Sequence, residues 1–206
     1  MYKHFVRPVY LSSQVVQSEE FQKLLTYWET MPPVLDEIIL IGNSLCVEYP
    51  WEQLDSSHVT KMAMRGDVSL QLCDRLHAIE KREPRAVMVS MGINDIFNEN
   101  EFDESMYRQF VKSHQQRFDH LLILMSLSPV SFESGLFSDC KRANEQIQVA
   151  NTLIKAIADE HGAIYLDVHT ALTEDGKLAE KYTYDGIHLT EEGYRIWEFK
   201  FNSLSE

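Results

Sequence analysis

The stretch Glu37-Ile38-Ile39-Leu40-Ile41-Gly42-Asn43-Ser44-Leu45 decides how this chain is read. Its apolar residues are continuous rather than alternating, as in a parallel strand buried on both faces. Gly42 closes the run and Ser44 follows directly, so a hydroxyl is expected just beyond the strand's carboxyl end. In open α/β sheets that edge is where ligands bind.

Working outward, the same kind of run recurs at Val59–Ala63, Ala86–Met91, His120–Ser126 and Ala163–Val168. Between these strands lie helical stripes: Leu72, Cys73, Leu76, Ile79; Met106, Tyr107, Phe110, Val111; and Ile147, Ala150, Ile154, Ile157, the last stopped at His161-Gly162. A final helix is expected over 190–204, carrying Tyr194, Trp197, Phe199 and Phe201. An N-terminal helix over 12–30 places Phe21, Leu24, Leu25 and Trp28 on one face and ends at Met31-Pro32-Pro33, since proline cannot continue it. Strands alternating with helices imply an α/β fold with a five-stranded, mainly parallel, doubly wound sheet. No repeat or linker divides the chain. One domain over 1–206 is expected, with 1–33 as a helical extension packed on it.

Ser44 is the candidate nucleophile. Taken alone it also reads as a helix N-cap. The surroundings are not the Gly-x-Ser-x-Gly elbow, because Cys46 stands two residues after it. His188 is lifted above the other histidines by Asp185, three residues earlier in Tyr184-Asp185-Gly186-Ile187-His188-Leu189. That spacing lets a carboxylate hold one ring nitrogen while the other faces the serine. Two donors suit a developing oxyanion. Gly66, in Met64-Arg65-Gly66-Asp67, lets a backbone N–H approach a ligand, and Asn94, in Met91-Gly92-Ile93-Asn94-Asp95, offers a side-chain amide. Asp95 reads as a structural acceptor holding its loop, and Asp67 as an N-cap. A rival grouping joins Asp185 and His188 with Asp167 and His169 as a metal cluster.

Ser44, Gly66, Asn94 and His188, in this order past successive strands, resemble the four blocks of the SGNH (GDSL) hydrolase superfamily. Ile41–Leu45 resembles the first block in a Gly-Asn-Ser form, with asparagine where many members have aspartate. Trp51-Glu52-Gln53-Leu54, Asp74-Arg75-Leu76 and 185–194 are similar to the platelet-activating-factor-acetylhydrolase-like and carbohydrate acetylesterase-like branch. One departure is the short segment Asp67-Val68-Ser69-Leu70 after the second-block glycine. The resemblance implies a three-layer α/β/α, flavodoxin-like domain. It implies Ser44 as nucleophile, His188 as base and Asp185 as its orienting acid. The Ser44 backbone N–H, Gly66 and Asn94 would form the oxyanion hole, with no cofactor or metal.

The implied activity is removal of a short acyl group, acetyl, from a carbohydrate or other polar alcohol. A thioesterase or lysophospholipase-like hydrolase would need a longer apolar channel, for which Leu127–Asp139, with Val130, Phe132, Leu136 and Phe137, is the candidate wall. That segment reads more readily as a loop packed on the core. A non-catalytic binding module on the same fold would be expected to have lost one of the site residues, and a nucleotide binder would need a phosphate loop absent here.

Composition narrows the partners. A formal charge of −13 repels phosphate backbones and anionic lipid, so a small-molecule ester is favoured over nucleic acid or a membrane. Met1–Pro8 lacks the apolar middle of a signal peptide, which favours a cytoplasmic enzyme. Cys46, Cys73 and Cys140 match neither a disulfide framework nor a zinc pattern and read as free thiols.

Overall fold

In the computed structural model, which describes residues 18–97, 101–131 and 139–205, the expected alternation is present. The order is α1 (Glu19–Thr30), β1 (Ile38–Gly42), α2 (Ser44–Glu48), β2 (Gln53–Leu54), β3 (Ser57–Ala63), α3 (Leu76–Glu80), β4 (Ala86–Ser90), α4 (Ile93–Phe97) and α5 (Glu104–Arg117). It continues with β5 (Leu121–Met125), α6 (Cys140–His161), β6 (Ile164–Leu166), α7 (His169–Leu172), β7 (Thr173–Glu174), β8 (Lys177–Leu178) and α8 (Glu191–Asn202).

The main sheet runs β2-β3-β1-β4-β5-β6. The five expected strands are all there, and all pair in parallel. The sixth, β2, is a two-residue antiparallel hairpin partner of β3 and lies in Trp51–Leu54, too short to give a periodic signal. A second small sheet pairs β7 with β8.

Period-two alternation sorts β1 between two cores. Ile39 and Ile41 join Phe21, Trp28, Ile79, Phe110, Ile147 and Ile154 on one face. Ile38 and Leu40 join Leu45, Leu172, Tyr194, Trp197 and Phe201 on the other. Helices therefore cover both faces, giving three layers. In α6, Ile147, Ala150, Ile154 and Ile157 are all fully buried. Each isoleucine contributes about 1.5–3 kcal/mol from burial. The helix ends at Gly162, in the left-handed region at φ 67°.

Two expectations change in detail. In the Leu72–Ile79 stripe Leu72, Leu76 and Ile79 are buried and Cys73 is half-buried, but Cys73–Arg75 is a 3₁₀ turn, preceded by another at Ser69–Gln71, and only Leu76–Glu80 is α-helical. Phe199 lies in α8 yet is 68% exposed, while Tyr194, Trp197 and Phe201 face the core. The first positions of the N-terminal helix expected over 12–30 lie outside the described residues. The described part, from Glu19, is capped by Ser18, whose side chain accepts from the Phe21 N–H. Among the described residues no helix is long and apolar enough to cross a membrane.

Candidate active site

Three neighbouring strands end level. Gly42 is in register with Ala63 of β3 and with Ser90 of β4, so the loops bearing Ser44, Gly66 and Asn94 leave the sheet side by side. Gly42 is required by contact: a β-carbon there would lie 2.2 Å from Cys46 Sγ and 2.6 Å from the Ser90 carbonyl oxygen. The N-cap of α2 is Asn43, whose side chain accepts from the Leu45 N–H at 3.0 Å. Ser44 is thus relieved of the capping role and its hydroxyl is available. On the far side of α2, the Tyr194 hydroxyl donates to the Leu45 carbonyl at 2.8 Å and fastens the segment to α8.

The Ser44 hydroxyl lies 2.9 Å from His188 Nε2, and His188 Nδ1 lies 2.6 Å from Asp185 Oδ2. Asp185 Oδ1 accepts the backbone N–H groups of Ile187 at 3.0 Å and His188 at 2.7 Å. Burial works to raise the Asp185 pKa, but the imidazole and these two amides outweigh it and hold it below the ordinary value. An ionised Asp185 accepts from Nδ1–H, which leaves Nε2 as an acceptor for the serine proton. Gly186, at φ 87°, makes the tight turn. The loop is fixed from behind, since Ser131 N–H donates to the Gly186 carbonyl at 2.8 Å.

Gly66 sits at φ 81°, a left-handed conformation that favours glycine, and a β-carbon there would meet no atom within 4 Å. Its loop edge is therefore open to a ligand. Asn94 Nδ2 donates one hydrogen to the Asp67 carbonyl at 2.8 Å. The amide's second hydrogen stays available. Asp95 does act as a structural acceptor, but across to the neighbouring loop: it accepts from Ser69 N–H at 3.1 Å and from the Ser69 hydroxyl at 3.1 Å. Asn94 and Asp95 together therefore set the position of the Gly66 loop. Burial pushes Asp95 up to about 6, against the Ser69 bonds.

Asp67 is not an N-cap. It is fully buried and paired with Arg75, which also donates to the Met62 carbonyl at 2.9 Å and the Gln71 carbonyl at 2.7 Å. The guanidinium lies 5.3 Å from the Phe21 ring and 5.1 Å from the Trp28 ring. Arg75 had no assigned role in the sequence; its only signal was the Asp74-Arg75-Leu76 stretch. It ties α1 to the Gly66 loop.

Asp167 and His169 do not join Asp185 and His188. Asp167 accepts from Thr170 N–H at 3.0 Å, and His169 Nδ1 lies 3.0 Å from the Leu127 carbonyl. Among the described residues no group of three or more His, Cys, Asp or Glu is placed to hold a metal ion. The described part of the proposed channel wall packs inward. Leu127 and Val130 belong to the core, and two α6 asparagines grip their backbone: Asn151 at Leu127 and Asn144 at Val130. Phe132, Leu136 and Phe137 lie outside the described residues.

Residues 42–196 match the GDSL-like lipase/acylhydrolase family. The chain belongs to this family of carboxylic ester hydrolases. Its fold is similar to a Streptococcus pneumonia protein described as a platelet activating factor, with TM-score 0.79 and 22% identity, covering 94% of this chain and 95% of that one. It is also similar to an acylhydrolase structure from Bacteroides fragilis, with TM-score 0.74 and 20% identity over 89% and 94% of the two chains. An acetyl-xylooligosaccharide esterase from Geobacillus Stearmophilus matches with TM-score 0.63 and 16% identity over 83% and 94%. In sequence, the chain is 26% identical over 180 residues to an N-acylneuraminate cytidylyltransferase from Escherichia coli. That match covers 84% of this chain but 40% of the relative, so the chain spans about two-fifths of that protein.

Proposed function

We propose that this esterase removes acetyl groups from a carbohydrate alcohol through an acyl-enzyme on Ser44. The observation that carries the reading is the Ser44–His188 contact at 2.9 Å, backed by His188–Asp185 at 2.6 Å. His188 takes the serine proton as Oγ attacks the ester carbonyl, and Asp185 stabilises the imidazolium that forms. The tetrahedral oxyanion is met by the Ser44 and Gly66 N–H groups and the free hydrogen of Asn94. Collapse breaks the bond to the alkoxide, which leaves as the alcohol with the proton from His188. Water, deprotonated by His188, then releases acetate and regenerates Ser44.

The short acyl group is supported by the inward packing of Leu127 and Val130, the described apolar residues of that segment, onto the core. Each methylene held in such a slot is worth about 0.8 kcal/mol, so without one a long chain gains little. The carbohydrate alcohol is supported by the likeness to the acetyl-xylooligosaccharide esterase. Likeness to part of an N-acylneuraminate enzyme adds acetylated acidic sugars to the substrates worth testing. The test is a panel of acetylated xylooligosaccharides, O-acetylated N-acylneuraminate, and nitrophenyl esters from acetate to octanoate, together with mass-spectrometric mapping of a phosphonate adduct. The reading expects the adduct on Ser44 and higher kcat/KM for acetate than for octanoate. A steady rise toward octanoate would favour a thioesterase or lipase instead.

A further inference from the structure

Three side chains outside the serine–histidine–aspartate chain close one side of it. Tyr184 lays its ring against the His188 imidazole, with centroids 5.9 Å apart and planes 14° apart. Its hydroxyl donates to Glu48 Oε2 at 2.6 Å. Glu48 stands four residues after Ser44 in α2, on the same helical side, and its other carboxylate oxygen pairs with Arg65. Arg65 immediately precedes Gly66, and Tyr184 immediately precedes Asp185. Each of the segments carrying Ser44, Gly66 and His188 thus supplies one member of a linked rim.

Tyr184 is held at both its ring and its hydroxyl, yet it remains 61% exposed. Burial and the Glu48 carboxylate push the phenol well above its ordinary range, so it stays protonated and keeps donating. The outcome is a fixed aromatic face open to solvent, with a carboxylate and a guanidinium at its edge.

The chemistry places the alcohol half of the ester here. The leaving oxygen receives its proton from the imidazole, so it must come within hydrogen-bond reach of His188 Nε2. The carbonyl oxygen meanwhile turns to Gly66 and Asn94. The body of the alcohol therefore extends past the imidazole, and the aromatic surface beside that ring is Tyr184, with Glu48 and Arg65 linked to it. A sugar ring suits such a surface: its C–H face packs on an aromatic ring while its hydroxyls meet polar groups that fix orientation. We propose that Tyr184, Glu48 and Arg65 form the subsite for the sugar ring that leaves as the alcohol, a proposal that rests on the carbohydrate esterase reading above.

The test compares kcat/KM on acetylated methyl xyloside and on vinyl acetate, whose alcohol part carries no ring. Wild type, Tyr184→Leu and Tyr184→Phe are measured, with melting temperatures to establish folding. The preference of Tyr184→Leu for the sugar ester over vinyl acetate is expected to drop about tenfold, mainly through KM. Tyr184→Phe, which keeps the aromatic face, should retain most of the preference. Equal losses on both substrates in Tyr184→Leu would mean that the ring only positions His188, and would overturn the subsite. So would a selective wild type whose preference survives Tyr184→Leu. A wild type that cleaves vinyl acetate but shows no preference for the sugar ester would overturn the carbohydrate reading itself, and the subsite with it.

Discussion

The two ends of the sheet bury ionisable groups in different ways. At the amino end of β1, Glu37 receives both Arg82 Nε and Nη2 at 2.7 Å and also accepts the Thr60 hydroxyl. One acid meets one base, and Arg82 also donates to the Met31 carbonyl at 3.2 Å. At the carboxyl end, Asp67 pairs with Arg75 while a second buried acid, Asp95, lies close enough to repel it. Burial drives both carboxyls upward there. The amino end is a matched clamp that holds strands. The carboxyl end carries an excess of buried acid, and that excess holds the loop of Gly66. A charged pair in the interior is costly to break wherever it sits; only at the carboxyl end is breaking it expected to disturb chemistry as well.

The largest expected contrast is at the carboxyl end itself. Ser44→Ala should lower kcat by roughly 10⁴–10⁶ while leaving the melting temperature close to wild type, because among the described residues the hydroxyl bonds only the part-buried imidazole. Steady-state kinetics and calorimetry check this; retained activity would remove Ser44 from the mechanism.

Next come the two arginines. Arg82→Met and Arg75→Met each leave a fully buried carboxylate without its partner. Each should cost about 3–5 kcal/mol, or about 10 °C in melting temperature for a chain of this size. Folded Arg82→Met should turn over within about twofold of wild type, since distant sites act independently. Arg75→Met should lose kcat as well, because Asp67 and the Gly66 loop relax together. Equal kcat in the two variants would erase the distinction between the ends.

A smaller but purely chemical effect is expected at Asn94. Asn94→Ala should cost about 10²–10³ in kcat, or roughly 3–4 kcal/mol, with little change in KM. A change confined to KM would make it a substrate contact.

The smallest effect is in pH dependence, where the two ends have opposite sign. At the amino end, burial and the neighbouring His120 push His114 down to about 4. An unfolded imidazole titrates near about 6.5, so between these values the unfolded chain holds more protons. This stability is present above the unfolded value and is lost as pH falls toward the folded one, by roughly 1–2 kcal/mol from pH 7 to 5. Asp95, pushed up to about 6, works the other way: the folded state holds more protons and gains as pH falls. His114→Phe should therefore flatten the acid loss of melting temperature, and Asp95→Asn should steepen it. The same slope in both variants would contradict the assignment.

Much of this was legible from residues because local rules and global fold agree. The five parallel strands announced themselves as largely apolar runs, and α6 as a four-residue stripe with a glycine stop. The Asp185–His188 contact was readable because three residues around Gly186 leave little freedom. The sixth strand was not, since two residues carry no period. Asp67 looked like a cap because Asp before a helical stripe usually is one; its true partner, Arg75, is set by the 3₁₀ turns between them. Asn144, Asn151 and the Tyr184–Glu48–Arg65 rim had no local signature, since each bonds a segment outside its own element.

By itself, the sequence determined the alternation of strands and helices and the mainly parallel, doubly wound sheet, and it offered the serine, histidine and aspartate candidates. These depend on hydrophobic periodicity and on short-range spacing, which a chain carries along its length. Only the tertiary structure decided that Asn43 rather than Ser44 caps α2, that Asp67 is a buried ion-pair partner, and that Tyr184 stands fixed against His188. Those outcomes depend on which side chains become neighbours when Gly42, Ala63 and Ser90 come into register, and on the cost of leaving a polar group unpaired once water has gone.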